Sequence, residues 1–256
     1  MSGSLTVVGL GPGRVDWLLP EAAAAIAGAT DLVGYETYLA MIPAALIGSQ
    51  VVRGSDNREE LARAGLALQL TVQGRRVAVI SSGDPGVFAM ASAVFEAQIA
   101  AGAPDAWREV DVVVLPGVTA ALATASRIGA PLGHDWCCMS LSDNLKPWPV
   151  IVGRLTAALD ADFAIALYNP VSRHRPTQLA AAFEIVAGHR DGATPIVLGR
   201  DVGRPGEEVM ALRLDELDLA VCDMRTVILI GSSTTQMVQL GGRTRVFTPR
   251  SYPFPS

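Results

Sequence analysis

Short apolar runs alternate with segments of helical periodicity along most of the 256 residues, and that alternation predicts the fold class. Runs rich in Val, Ile and Leu predict strands at about 5–9, 30–34, 50–53, 77–81 and 110–115. Helical patterns lie between them: Pro20 to Ile26, Asn57 to Gln73 with Asp56 as a candidate N-cap, and Val87 to Ala101. This βαβ series implies a mostly parallel sheet with helices on its faces. After Pro116-Gly117 the pattern restarts with helical Thr119 to Ile128 and a Gly/Pro-rich link at 129–133. Further strands are expected at about 136–142, 163–168, 195–199, 206–214 and 226–231, with a helix near 175–188. The expectation is two α/β domains, 1–115 and 116–245, followed by a tail at 246–256. Met1 to Ser4 and roughly 242–256 look loose, and no internal repeat is visible.

Two of the predicted strands end in glycine-punctuated loops, Gly9-Leu10-Gly11-Pro12-Gly13 and Ser81-Ser82-Gly83-Asp84-Pro85-Gly86. Glycines let backbone approach a ligand closely, because no Cβ intervenes. Strand ends of this kind form the ligand crevice of open α/β sheets. The first loop is not a dinucleotide fingerprint. Pro12 removes an N–H where a phosphate needs a donor, and Arg14 stands where the third glycine would fall. The pattern points away from NAD and towards a compact nucleoside cofactor held by packing and carbonyl groups, such as S-adenosylmethionine.

Composition narrows the class. Half of the residues are apolar, yet no uncharged run approaches the length of a membrane span, and Ala22 to Ala29 lacks a signal-peptide layout. A net charge of −5 argues against a nucleic-acid binder. Three cysteines, Cys137, Cys138 and Cys222, have no metal-like spacing and suit reduced thiols in a cytoplasmic protein. Lys146 is the sole lysine against nineteen arginines, in keeping with a GC-rich codon bias. It lies in a polar loop, 142–148, directly after a predicted strand.

Four motifs occur in order: Gly-Leu-Gly-Pro-Gly at 9–13, Gly-Asp-Pro-Gly at 83–86, Pro-Gly-Val-Thr-Ala at 116–120 and Tyr-Asn-Pro at 168–170. Together they resemble the tetrapyrrole (corrin/porphyrin) methyltransferase superfamily over nearly the whole chain. Gly34-Tyr35-Glu36-Thr37-Tyr38, Gly129 to Asp135, Ser140-Leu141-Ser142-Asp143 and Tyr168 to Arg173 are most similar to its precorrin-3B C17-methyltransferase branch. The resemblance implies a two-domain tetrapyrrole methylase fold: a mostly parallel sheet in the N-terminal domain, a mixed sheet in the C-terminal one, and S-adenosylmethionine in the interdomain cleft. It implies C17 methylation with corrin ring contraction in cobalamin biosynthesis. Other precorrin methyltransferases (C-20, C-11 or uroporphyrinogen-III type) and the cobalt-precorrin counterpart are the alternatives. A cytoplasmic homodimer with transient hand-over to other enzymes of the pathway is expected, with no nucleic acid and no membrane as partners.

Residue by residue, the resemblance places Pro12, Gly83, Asp84, Val87, Phe88, Thr119, Ala120 and Asn169 at the cofactor, with Ala211 and Thr226 carried over across a stretch where the alignment can slip by one. Plainer roles compete. Pro12 also suits an ordinary turn, Asp84 suits an N-cap for the helix expected from Val87, and Thr119 suits an N-cap for 119–128. Methyl transfer from a sulfonium needs mainly positioning, so no metal is expected. Ring contraction needs a proton acceptor, for which His134, Asp135 and Asp143 are candidates, His134 and Asp143 foremost. The substrate's carboxylates call for local cations in an acidic protein. Lys146, Arg173 and Arg175, with Ser142, are the expected anchors, and Arg200 and Arg204 are secondary ones. His174 and His189 look like solvated positions.

Overall fold

The computed structural model describes residues 3–56, 59–172 and 175–252. The chain divides into two compact units, Met1–Thr119 and Ala120–Ser256.

In the first unit the apolar runs become β1 (Ser4–Gly9), β2 (Asp31–Tyr35), β3 (Val51–Ser55), β4 (Arg76–Ser81) and β5 (Val112–Leu115). They form one sheet in the order β3-β2-β4-β1-β5, with every pairing parallel. A strand covered on both faces reads as a near-continuous apolar run, and β1 does, with only Thr6 interrupting Leu5 to Val8. Leu5 and Val7 pack with α3 (Glu60–Val72) and α4 (Met90–Ile99), while Val8 packs with Ala22 and Ile26 of α1 (Pro20–Gly28) on the other face. Two short helices, α2 (Glu36–Leu39) and α5 (Asp105–Arg108), fill the connections.

At the N-terminal edge of this sheet the Asp31 carboxylate is fully buried. It accepts hydrogen bonds from Arg75 Nε (2.7 Å), Arg53 Nε (3.0 Å) and Thr30 Oγ1 (2.9 Å). Burial pushes its pKa up, but Arg75, Thr30 and Arg53 together pull it below the usual carboxylate range. A depressed folded pKa contributes stability that is present above the unfolded value of about 3.9 and is lost as pH falls through the folded value. Acid unfolding of the wild type should therefore steepen below about pH 4. Asp31→Asn should flatten that limb; an unchanged acid profile in the variant would show that Asp31 contributes nothing to it.

The second unit comprises α6 (Ala120–Ile128), β6 (Gly129–Ala130), β7 (Trp136–Ser140), α7 (Trp148–Asp160), β8 (Ala164–Tyr168), α8 (Gln178–His189), β9 (Pro195–Arg200), β10 (Glu208–Arg213), β11 (Thr226–Ile230), β12 (Gln236–Leu240) and β13 (Arg243–Phe247). The main sheet is mixed, in the order β10-β9-β11-β8-β7: β7 and β8 are parallel, and β11 runs antiparallel to β8 and β9. Ile165, Leu167, Ile196, Leu198, Ile228 and Ile230 face α7 and α8, while Ala166, Val197, Val227 and Leu229 face α6.

Four local expectations are corrected. Helix α3 begins at Glu60 with Glu59 as its N-cap, so Asp56 does not cap it; residues 57 and 58 lie outside the described residues. Helix α4 begins at Met90, because Asp84 to Ala89 are spent on a looped approach. Residues 148–160, left unassigned by the apolar pattern, form α7, which buries Ile151, Leu155 and Leu159 one turn apart. The stretch 242–256 is not loose throughout. β13 pairs with β12 and β6, and the buried Thr248 Oγ1 donates to Pro131 O at 2.6 Å.

Candidate functional site

The loops after β1, β4 and β5 meet at the C-terminal edge of the parallel sheet, where β1 stands between the other two strands. Gly11 and Gly83 exchange backbone hydrogen bonds, at 3.1 and 2.8 Å. The Asp84 side chain joins the third loop to them: Oδ1 accepts from Gly86 N–H at 2.8 Å and Oδ2 from Gly117 N–H at 3.1 Å. Gly117 lies so close that an added Cβ would overlap Gly83 O and approach Gly11 N and Gly9 C within 3.0 Å. Three loops are thereby locked into one backbone surface. Pro12 and Thr119 are buried in it, and Asp84 and Val87 are half-buried.

Phe88 stands out in this cluster. It is 49% exposed and holds φ +53, a left-handed conformation that costs a bulky residue roughly 1–2 kcal/mol. An exposed aromatic ring on strained backbone beside glycine loops offers a flat apolar surface to a ligand. The structure thus brings Pro12, Gly83, Asp84, Val87, Phe88 and Thr119 together in the first unit.

In the second unit the strand ends of β7 and β8 gather another set. Ser140 Oγ accepts from Asn169 Nδ2 at 2.9 Å and from Ser142 N–H at 3.2 Å. Asn169 holds φ +52, again left-handed. The Asp143 carboxylate accepts from Gln178 Nε2 at 3.0 Å and lies 3.7 Å from Arg175 Nε. Tyr168 Oη accepts from Ala121 N–H at 3.0 Å, so the Tyr-Asn-Pro strand end is tied to the first turn of α6, where Ala120 begins the helix. Thr226 is buried at the start of β11 and shares hydrogen bonds with Asp223, while Ala211 is half-buried on β10, paired with Val197.

The expected cations fall into different environments. Arg173 and His174 lie outside the described residues. Arg175 is buried, and its Nη1 donates to Leu141 O and Asn169 O, both at 3.1 Å, so its guanidinium is spent on backbone. Arg200 is balanced by Asp223 (3.0 Å) and Glu208 (3.8 Å). Lys146 is half-buried, and burial together with the nearby Arg154 guanidinium pushes its ammonium below the usual range. Arg154, on the unforeseen α7, is a cation the apolar pattern missed.

His134 lies apart from the other candidate base. It precedes β7, whereas Ser140, Ser142 and Asp143 lie at or beyond the strand's other end, so roughly 13 Å of strand separates the two groups. At its own edge His134 Nδ1 accepts from Asp135 N–H at 2.7 Å, and the ring meets Tyr252 edge-on at 5.1 Å. Tyr252 Oη in turn donates to Asp162 Oδ2 at 2.9 Å. His134 therefore takes part in a run of contacts through Tyr252 to Asp162, while Asp143 lies past the other end of β7.

Comparison with known proteins decides the family. The profile of the tetrapyrrole (corrin/porphyrin) methylases matches residues 4–218. The chain belongs to the tetrapyrrole methylase family. Among curated relatives, the cobalamin biosynthesis protein CobIJ of Mycobacterium tuberculosis is 49% identical over 257 residues, covering 99% of this chain and 49% of its own length. The chain thus spans about half the length of that relative. The precorrin-3B C(17)-methyltransferase of Sinorhizobium is 50% identical over 253 residues, 98% of both chains. A crystal structure of the methyltransferase CobJ superposes with a TM-score of 0.90 at 45% identity, over 97% of this chain and 100% of that one. The two-unit α/β architecture is the tetrapyrrole methylase fold.

Proposed function

We propose that this chain is an S-adenosylmethionine-dependent methyltransferase that methylates C17 of precorrin-3B with ring contraction, in cobalamin biosynthesis. The observation that carries the reading is the three-loop surface around Asp84, in a chain half identical from end to end to the Sinorhizobium C17-methyltransferase. The residues fit the cofactor. Glycines bring backbone close, Phe88 offers an exposed ring, and Asp84 keeps lone pairs for a ribose hydroxyl beyond the two amides it accepts. Pro12, Gly83, Val87 and Thr119 would line the site in the first unit, and Ala120, Asn169, Ala211 and Thr226 in the second. The bound sulfonium supplies an already activated methyl group, so these residues need only hold donor and acceptor in line.

His134 and Asp143 are the candidate groups to accept a proton during ring contraction, and Asp143 stands at the strand end that also carries Ser140 and Asn169. Lys146 with Arg154, and Ser142, would meet the acetate and propionate carboxylates of the tetrapyrrole; Arg173 is proposed for the same task from the sequence alone. Two neighbouring cations give a local positive field that suits a carboxylate. The enzyme is further proposed to act in the cytoplasm as a homodimer and to pass its product to a neighbouring pathway enzyme.

Incubation with S-adenosylmethionine and precorrin-3B should yield a ring-contracted product heavier by one CH2, read by mass analysis; the cobalt-containing substrate should react more slowly. Calorimetry should give micromolar S-adenosylhomocysteine affinity, about −8 kcal/mol. Clear binding of a dinucleotide without S-adenosylhomocysteine binding would overturn the reading. Lys146→Ala should raise the KM for tetrapyrrole about 3- to 10-fold and leave S-adenosylhomocysteine affinity unchanged, the sign of lost uniform binding. An unchanged KM would place Lys146 outside the substrate site.

A further inference from the structure

We propose that Arg175 is a positioning residue for the cofactor: it holds the Asn169 turn in its left-handed conformation, and through that turn it supports binding of S-adenosylmethionine. The inference rests on the cofactor reading above and reassigns Arg175 from the substrate's carboxylates to the methyl donor's side of the reaction.

The geometry of the guanidinium carries it. Arg175 is only 4% exposed, which leaves almost no surface for a substrate carboxylate to reach. A buried guanidinium is costly unless its N–H groups are used, and here a single nitrogen, Nη1, spans two carbonyls. Leu141 O and Asn169 O, both at 3.1 Å, are the first carbonyls beyond the ends of β7 and β8. Nη2 faces Met224 Sδ at 3.8 Å. Nε has no hydrogen-bond partner and stands 3.7 Å from Asp143, which supplies the opposing charge. Asn169 is thus gripped twice, at its carbonyl by Arg175 and at its side-chain amide by Ser140 Oγ. A non-glycine residue stays at φ +52 only where its surroundings over-determine it. Releasing either grip lets the turn relax towards extended backbone and carries the Asn169 side chain away.

The test measures S-adenosylhomocysteine affinity by calorimetry well below the melting temperature, with the folded fraction checked by circular dichroism. Tetrapyrrole binding is followed separately by visible absorbance without cofactor. Arg175→Met, which keeps the stem and removes the clamp, should weaken S-adenosylhomocysteine about 10- to 100-fold. Arg175→Lys, able to reach one carbonyl, should recover part of that affinity. Ser140→Ala should weaken binding about 3- to 10-fold, and combined with Arg175→Lys the loss should fall short of the product of the two, because both act through Asn169. Tetrapyrrole affinity should stay within about twofold in all of them. If Arg175→Met does not fold, Arg175→Lys and Ser140→Ala carry the test. Unchanged S-adenosylhomocysteine affinity in those two, with only the melting temperature lowered, would make the clamp structural and overturn the proposal. A fall in tetrapyrrole affinity alone would overturn it in favour of substrate anchoring. Wild-type protein that fails to bind S-adenosylhomocysteine would instead overturn the cofactor reading, and this inference with it.

Discussion

Asp84→Ala should lower affinity for S-adenosylhomocysteine by about 30- to 150-fold, and the melting temperature should fall with it. The carboxylate accepts two backbone N–H groups from different loops, Gly86 at 2.8 Å and Gly117 at 3.1 Å. Charge-assisted hydrogen bonds contribute about 1.5–3 kcal/mol each, and a half-exposed pair belongs at or below the lower end. Together that is about 2–3 kcal/mol, which at about 1.4 kcal/mol per decade gives the stated range. Ligand affinity should suffer because the loops lose their common tie before any direct ligand contact is counted. Asp84→Asn keeps one acceptor oxygen and should lose less. Calorimetry and thermal denaturation of both variants check this. Wild-type affinity combined with a lower melting temperature would reduce Asp84 to a structural tie.

Gly117→Ala should be more damaging still, at about 3 kcal/mol or more, or no soluble protein at all. The new methyl group would overlap Gly83 O and crowd Gly11 N and Gly9 C. All of these are backbone atoms, so no flexible side chain can swing aside. Gly153→Ala on α7, where an added Cβ meets nothing within 4 Å, should instead gain about 0.5–1 kcal/mol as a plain helix substitution. Denaturant midpoints of the pair measure the contrast. A Gly117→Ala protein with the wild-type midpoint would mean the loops do not pack this closely.

Strands β1, β2 and β4 were legible because they are largely buried on both faces, and such strands announce themselves as near-continuous apolar runs. The glycine loops were legible for a related reason, since Gly9, Gly83 and Gly117 mark backbone that must come close. Helix α7 was hidden because Pro147 and Pro149 look like turn residues and Val150-Ile151-Val152 looks like a strand, although Ile151, Leu155 and Leu159 already recur at helical spacing. The hairpin of β12 and β13 was missed in spite of Gly241-Gly242, whose φ of +58 and +70 suit the two-residue turn that joins twisted strands.

The site was harder. Nothing in the sequence distinguishes an arginine that reaches a ligand from one, such as Arg175, that turns inward onto carbonyls. Strand direction alone, however, could have separated His134 from Asp143, because one precedes β7 and the other follows it.

The placement of β1 has a consequence for how the chain acquires its shape. Val7 pairs with Val79 on one side and Val114 on the other, so β1 is flanked on both sides only when β5, the last strand of its sheet in chain order, has joined. Such long-range parallel pairing closes large loops of chain before it is rewarded, which slows folding. While the nascent chain is still short, the 9–13 loop has neither Gly83 nor Gly117 to lean on. Its form is complete only once β5 brings Gly117 into place, so the ligand surface depends on the longest-range strand pairing of the sheet.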